Sequence, residues 1–354
     1  MGQERQFVSG FILVFAYEAI RAPASRQEIS FSPPGRLRRI QQCEGISGRR
    51  GPPPPRRESD ACRAPPGWWY SDESVSCAGG TVCTAARERL ESWGVETISC
   101  DLLVREAVAA LPKLPNVIYM AALKFDAAGR EDFLWAMNTI APANVAEAFA
   151  GSRIVALSTI HVYPWSNPLH GGVTEATPPL ARPGEYANSV VGRERTFQYF
   201  SRLHNTPGRL VRFVYAVDMR YGVLQEIASW VLDGKAIPLA TGTVNIAWQG
   251  DAINSFARLL RHCEVPSSPI NIGNPELTSV RQIATAFGEV FGIKPRFIGE
   301  ETECLAVNCD QAAELLGNPT VPLNTMIKWV AEWLKGQKPL HGKPSKFEVR
   351  TGKF

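Results

Sequence analysis

The sequence predicts an α/β fold: a doubly wound parallel sheet with a smaller C-terminal α/β domain, preceded by an atypical N-terminal segment. Three observations carry this. From about Thr84 onward short apolar runs alternate with longer amphipathic ones, the spacing produced by parallel strands joined through helical crossovers. Those apolar runs are continuous rather than alternating, as strands are when helices cover both faces of a sheet. And 354 residues, 45% hydrophobic and 20% charged, suffice to bury a substantial core.

In chain order, Ala85 to Leu90 is helix-forming, Gly94 is a stop, and Val95 to Ser99 reads as a short strand ending at Cys100-Asp101-Leu102. Asn116 to Ala122 reads as a strand and Phe133 to Phe149 as a helix. Strand Arg153 to Ser158, helix Tyr186 to Leu203 and strand Arg209 to Tyr215 follow. Past Met219 the pattern mixes, with helix Val223 to Leu232, a short strand across Val244 to Trp248 and a helix across Ala252 to Leu260. Ser279 is placed to cap a helix with apolar positions Val280, Ile283, Phe287 and Val290 and a stop at Gly292. Pro322 opens another, with Met326, Ile327, Val330 and Leu334 on one stripe. The expected division is 1–84, 85–265, 266–336 and a basic tail over 337–354.

Residues 1–84 do not read as a folded domain, because Pro52 to Pro55, Pro65-Pro66 and the Arg-Arg pairs break every run before a period forms. The segment reads as disordered, or as a misread or rearranged stretch of coding sequence. Its arginines, among them Arg36, Arg38, Arg39, Arg49 and Arg50, supply much of the net charge of +4. They lie among prolines and glycines rather than along a helix, so no nucleic-acid footprint is expected. The eight cysteines form no C-x-x-C pair and none stands at zinc-ligand spacing from a histidine, which points to reduced thiols and no metal. No apolar run approaches the ~20 residues of a membrane span. Phe7 to Tyr17 weakly resembles a secretion signal, but Glu18 follows it directly, and the expectation is a cytoplasmic protein.

Several ordered segments then carry a resemblance. They are Cys100-Asp101-Leu102-Leu103, Val117-Ile118-Tyr119-Met120-Ala121-Ala122, Leu157-Ser158-Thr159-Ile160-His161-Val162-Tyr163, Glu185-Tyr186, Ile270-Asn271-Ile272-Gly273-Asn274-Pro275 and Leu315-Leu316-Gly317. Over about residues 93–335 the chain resembles the extended short-chain dehydrogenase/reductases, the NAD-dependent epimerase/dehydratase family. The resemblance implies a Rossmann-like core over 85–265 that binds NAD or NADP, and a substrate-side domain over 266–336. It implies oxidoreductase or epimerase action on the hydroxyl or carbonyl of a sugar or sugar-derived small-molecule substrate, and a homodimer paired through helices 133–149 and 186–203. It places the general acid/base on Tyr186, the catalytic hydroxyl on Thr159 and a water-relay asparagine on Asn138. Asp101 and Leu102 fall where the adenine would lie, and Ala121, Ala122 and Ser158 where the cofactor groove would be.

Such a site needs a cation, because a phenol with pKa near 10 is a poor base at neutral pH unless an ammonium offsets the phenolate. The family's lysine would stand one helical turn after Tyr186, where this chain has Val190. Arg193, two turns along, is either a replacement cation or a solvated helix residue. His161 reads as packing or as a substitute base, Thr159 as a site hydroxyl or a backbone-bonding strand end, Tyr186 as a site residue or a half-buried aromatic. Gly45-Ile46-Ser47-Gly48-Arg49-Arg50-Gly51 matches the phosphate-binding glycine spacing, but no buried strand precedes it and Pro52 to Pro55 cannot form the helix that should follow. Phe11 to Ala16 offers a substitute first strand. Val244 stands where nucleotide-sugar enzymes hold a diphosphate with arginine, and Pro164 replaces the glycine after Val-Tyr. Two readings remain: an NAD(P)-dependent enzyme, and a non-catalytic NAD(P)-binding sensor or scaffold.

Overall fold

Strands Asn116–Tyr119, Arg153–Thr159, Gly208–Phe213 and Ser268–Ile272 lie side by side in that order, all parallel, in a computed structural model describing residues 12–13, 91–92, 95–124, 127–301 and 304–350. Side-chain alternation splits their apolar residues between two cores. Val117, Tyr119, Ile154, Ala156 and Leu210 meet Leu102, Val145, Phe149 and Phe197 on one face. Ile118, Val155, Val211 and Ile270 meet Phe256, Leu259, Ala312 and Leu316 on the other. Both faces being covered is why the strand sequences run apolar without a break. Gly208 is required where its strand starts, since a Cβ there would come within 2.9 Å of the Ile154 carbonyl oxygen.

A fifth strand, Ile12–Leu13, completes the sheet on the Asn116–Tyr119 edge. It runs antiparallel, with Ile12 opposite Tyr119 and Leu13 opposite Ile118. Within the stretch Phe11 to Ala16, the two described residues Ile12 and Leu13 thus form a strand at this edge, reversed relative to the parallel direction of a doubly wound sheet, and the rest of the stretch lies outside the described residues. The expected helix Ala85 to Leu90 and the glycine-rich stretch Gly45 to Gly51 lie outside the described residues.

Two expectations need correction. Val95 to Ser99 has no ladder partner among the described residues; Ile98 is 53% exposed, so the run lacks the buried face that would anchor it in a sheet. The helix expected over Phe133 to Phe149 is in three parts, α over Glu131–Trp135, π over Ala136–Ile140 and α over Ala141–Ala148. Pro142 has no N–H to return to the carbonyl four residues back, and the widened turn falls just before it. Asn138 lies in that turn and is fully buried.

The C-terminal half adds three two-stranded sheets. Tyr215–Val217 pairs with Ile246–Trp248, Thr243–Val244 with Thr278–Ser279, and Ala236–Pro238 with Arg296–Ile298. The expected strand Val244 to Trp248 is interrupted at Asn245, whose amide donates to the Asn274 and Val307 carbonyls and whose oxygen accepts from the Val307 N–H. Helices Val223–Leu232, Val280–Phe291 and Leu323–Lys335 pack around Leu224, Ile227, Ile283, Phe287, Met326 and Val330. Ser279 caps the second helix with a capping box and Gly292, at φ 69°, ends it. Among the described residues no helix is long and apolar enough to cross a membrane, and no cluster of metal-ligating side chains occurs.

Candidate functional site

Thr159 ends its strand at the C-terminal edge of the parallel sheet, where the crevices of open α/β sheets take ligands. The long helix Glu185–His204 begins beside it, entered through Gly184 at φ 122°, a conformation that favours glycine. Tyr186 therefore sits in the first turn, with its hydroxyl beside the Thr159 side chain. Thr159 also accepts the His161 N–H at 3.3 Å. Burial raises the Tyr186 pKa above 10.0; the Arg193 charge and the Thr159 hydroxyl work against that rise.

His161 is buried and edge-on to two phenols, 6.2 Å from the Tyr186 ring and 6.0 Å from the Tyr215 ring. Its Nδ1 is bonded to the Arg182 guanidinium. A guanidinium only donates, so Nδ1 accepts and the ring proton belongs on Nε2. Arg182 is buried with its Nε unpartnered, and burial lowers its pKa to about 10. Arg182 and Arg350 each lie 4.0 Å from the Trp165 ring centre.

The position after one turn, Val190, is fully buried in an apolar core beside Ile160 and Val214. A different lysine approaches the phenol: the Lys124 ammonium lies 5.7 Å from the Tyr186 ring centre. Burial lowers its pKa to about 8, reinforced by Arg182 and Lys346 and opposed by Glu226.

Arg193 is buried rather than solvated. It donates to the Leu157 carbonyl at 2.9 Å and to Asn138 Oδ1, and it lies 6.0 Å over the Tyr119 ring. Asn138 is saturated by protein: its oxygen also accepts from the Leu123 N–H, and its amide donates to the Leu123 carbonyl and Ser189 Oγ. Ser158 is turned the other way, donating at 2.6 Å to the buried carboxylate of Glu194. Leu102 is a core residue whose carbonyl accepts from Asn144, while Asp101 accepts its own loop's Leu103 N–H. Ala121 is buried and Ala122 exposed just past the Asn116–Tyr119 strand. Of the expected site residues, then, Tyr186 and Thr159 meet directly, with Asn138 linked to them through Ser189 and Arg193; Ser158 and Leu102 are engaged elsewhere.

Lys124 and Arg182 were missed by sequence reasoning. Lys124 had a usable signal, as a lysine a few residues past a parallel strand at the sheet's ligand-binding edge. Arg182 lies in a Pro-rich loop with no period to place it, and only the fold brings it onto His161.

No family model matches the chain, and no curated protein matches it in sequence. Solved structures do. UDP-glucuronic acid 4-epimerase from Bacillus cereus in complex with NAD is 18% identical at TM-score 0.59, over 73% of this chain and 87% of that one. UDP-glucose 4-epimerase from Thermus thermophilus in complex with NAD is 17% identical at TM-score 0.56, over 69% and 86%. UDP-glucose 4-epimerase from Thermotoga maritima, with UDP-glucose, is 16% identical at TM-score 0.55, over 67% and 83%. The chain has the Rossmann-type fold of the NAD-dependent UDP-sugar epimerases.

Proposed function

We propose that the protein is an NAD(P)-dependent, epimerase/dehydratase-like oxidoreductase acting on a hydroxyl or carbonyl of a sugar or sugar-derived substrate. The observation that carries the proposal is the meeting of the Tyr186 and Thr159 side chains at the C-terminal edge of the parallel sheet. The residues there fit a nicotinamide nucleotide. Ala121 and Ala122 leave space at the strand end, and the buried Nε of Arg193 and hydroxyl of Tyr119 have no partner among the described residues. Ala121 and Ala122 would line the groove, with Asp101 toward the adenine and Tyr186 toward the nicotinamide. The bound nucleotide would supply reversible hydride acceptance.

Tyr186 would then take the proton of a substrate hydroxyl as phenolate and return it to a carbonyl as phenol. Thr159, beside that oxygen, would orient it. Arg193, a permanent cation within electrostatic range, favours the phenolate. Asn138, with every polar atom used by the protein, holds Arg193 and Ser189 in place rather than passing a proton. The exposed Trp135, Ile140, Tyr199 and Leu203 on the two neighbouring helices suit pairing of two copies.

The second reading, a non-catalytic NAD(P)-binding sensor or scaffold, is favoured by Val190, since the family's lysine position is built into the apolar core. A titration separates the two. NAD or NADP at millimolar concentration raises the melting temperature under both readings. Under the first, UDP-glucose or UDP-glucuronic acid as probe is converted and Tyr186→Phe abolishes conversion. No thermal shift with either nucleotide defeats both.

A further inference from the structure

We propose that Lys124, reaching the site from the loop after the Asn116–Tyr119 strand, supplies the ammonium that position 190 lacks. The inference rests on Tyr186 as the acid/base of the proposed function. Lysine on the helix has been exchanged for a side chain that completes the apolar core, and the second cation, Arg193, is tied to the Leu157 carbonyl and Asn138. Lys124 is held over the phenol from the loop after the Asn116–Tyr119 strand, its ammonium 5.7 Å from the ring centre. Its loop is fixed beneath it, since both backbone polar groups of Leu123 are bonded to the buried Asn138 side chain.

The groups facing this pair set its pH range. Lys124 faces Arg182, Lys346 and Glu226, while Tyr186 faces Thr159, His161, Arg193 and Tyr221. With its pKa at about 8, Lys124 is an ammonium at neutral pH and loses its charge just above. It passes no proton to the substrate; its part, while charged, is to lower the cost of negative charge on the Tyr186 oxygen. That makes it a positioning residue acting through Tyr186, and the consequence is a phenol more easily ionised below pH 8 than above it.

The test needs no substrate. N-acetylimidazole acetylates phenolates, and Tyr186 labelling in the full-length protein is read by peptide mass spectrometry between about pH 6.5 and 9.5, with exposed Tyr199 as internal reference. In the parent protein labelling should climb less steeply than hydroxide concentration, with a bend near pH 8. Lys124→Met should label about tenfold more slowly at pH 7, as removal of a unit charge a few ångströms away predicts at intermediate dielectric, and show no bend. Lys124→Arg, which cannot lose its charge in this range, should restore the neutral-pH rate without the bend. Equal labelling in Lys124→Met and parent overturns the inference, as does failure of Lys124→Arg to restore the rate. The nucleotide titration fails separately: labelling as expected without NAD or NADP binding leaves the Lys124–Tyr186 pair standing and removes the proposed function.

Discussion

Ser158 and Thr159 are adjacent on one strand and open into two different polar networks, both fed by the same helix. Ser158 leads to Glu194, whose carboxylate takes two bonds from Arg212 at 2.9 and 2.7 Å. Arg212 passes on to the Tyr163 hydroxyl, and that hydroxyl donates to Asn271. Every member is buried and satisfied, and the Glu194 bond and charge outweigh burial in holding Arg212 protonated. Thr159 leads instead to Tyr186, His161, Arg182 and Lys124, where Arg182 Nε and the Tyr215 hydroxyl are buried without partners. A closed network of compensating charges fixes the sheet to its helix. An open one, rich in cations and shifted phenols, is the network on which the proposed function draws.

The closed network should break hardest. Glu194→Ala strands Arg212 in the core, and loss of one partner of a buried pair costs about 3–5 kcal/mol, read as a lowered urea midpoint. The double variant Glu194→Leu with Arg212→Met should recover most of that, because removing both charges removes the desolvation burden too. A loss of under about 1 kcal/mol in Glu194→Ala would erase the contrast between the two networks.

Val190→Lys comes next. Placing an ammonium at a fully buried core position should cost about 2–4 kcal/mol without restoring catalysis, since the position belongs to the apolar core. A gain in turnover would show that the helix face still opens to the site.

Lys124 gives the opposite sign. Its folded pKa of about 8 lies below the ordinary 10.5, so across that window the unfolded chain binds more protons and stability rises with pH. Below the window the penalty is present in full. A tenfold loss of proton affinity corresponds to about 1.4 kcal/mol, and because the residue as a whole keeps part of its surface in water while its ammonium is enclosed, a net ~1–2 kcal/mol is expected. Lys124→Met should therefore raise the urea midpoint at pH 7 and flatten the increase between about pH 8 and 10.5 seen in the parent. A gain in stability paired with loss of phenol reactivity is the mark of a functional residue held at a cost.

Strands were legible because continuous apolar runs and helical periods are local signals; Val223–Leu232 has the bounds its periodicity gives, and Ser279 and Gly292 delimit their helix as capping chemistry requires. Val95 to Ser99 misled because β-rich composition says nothing about whether a neighbour covers it. In the candidate site, the proximity of Tyr186 to Thr159 was legible from motif order. The cations were not, because Lys124 and Arg182 converge on Tyr186 and His161 from loops distant in sequence, and their pKa values come from burial that only the fold creates. Arg193 was legible as a residue but not as a buried one: the π turn that brings Asn138 onto it has no spacing signature.

The smallest effects give the sharpest comparison, since they concern the two adjacent hydroxyls themselves. Ser158→Ala removes a 2.6 Å bond to a charged, buried acceptor that retains both Arg212 bonds, so a loss of about 1–2 kcal/mol is expected, with nucleotide binding unchanged. Thr159→Val keeps the side-chain shape and loses the hydroxyl beside Tyr186 and the bond to the His161 N–H, long at 3.3 Å. Its stability should fall by about 1 kcal/mol, because the hydrogen bond it loses from the buried His161 N–H is a long one. Its Tyr186, without the Thr159 hydroxyl, should ionise less readily, and N-acetylimidazole labelling at pH 7 should drop several-fold. If instead Ser158→Ala slows the labelling and Thr159→Val leaves it alone, the strand presents its functional hydroxyl to the other face, and Glu194 rather than Tyr186 becomes the group to explain.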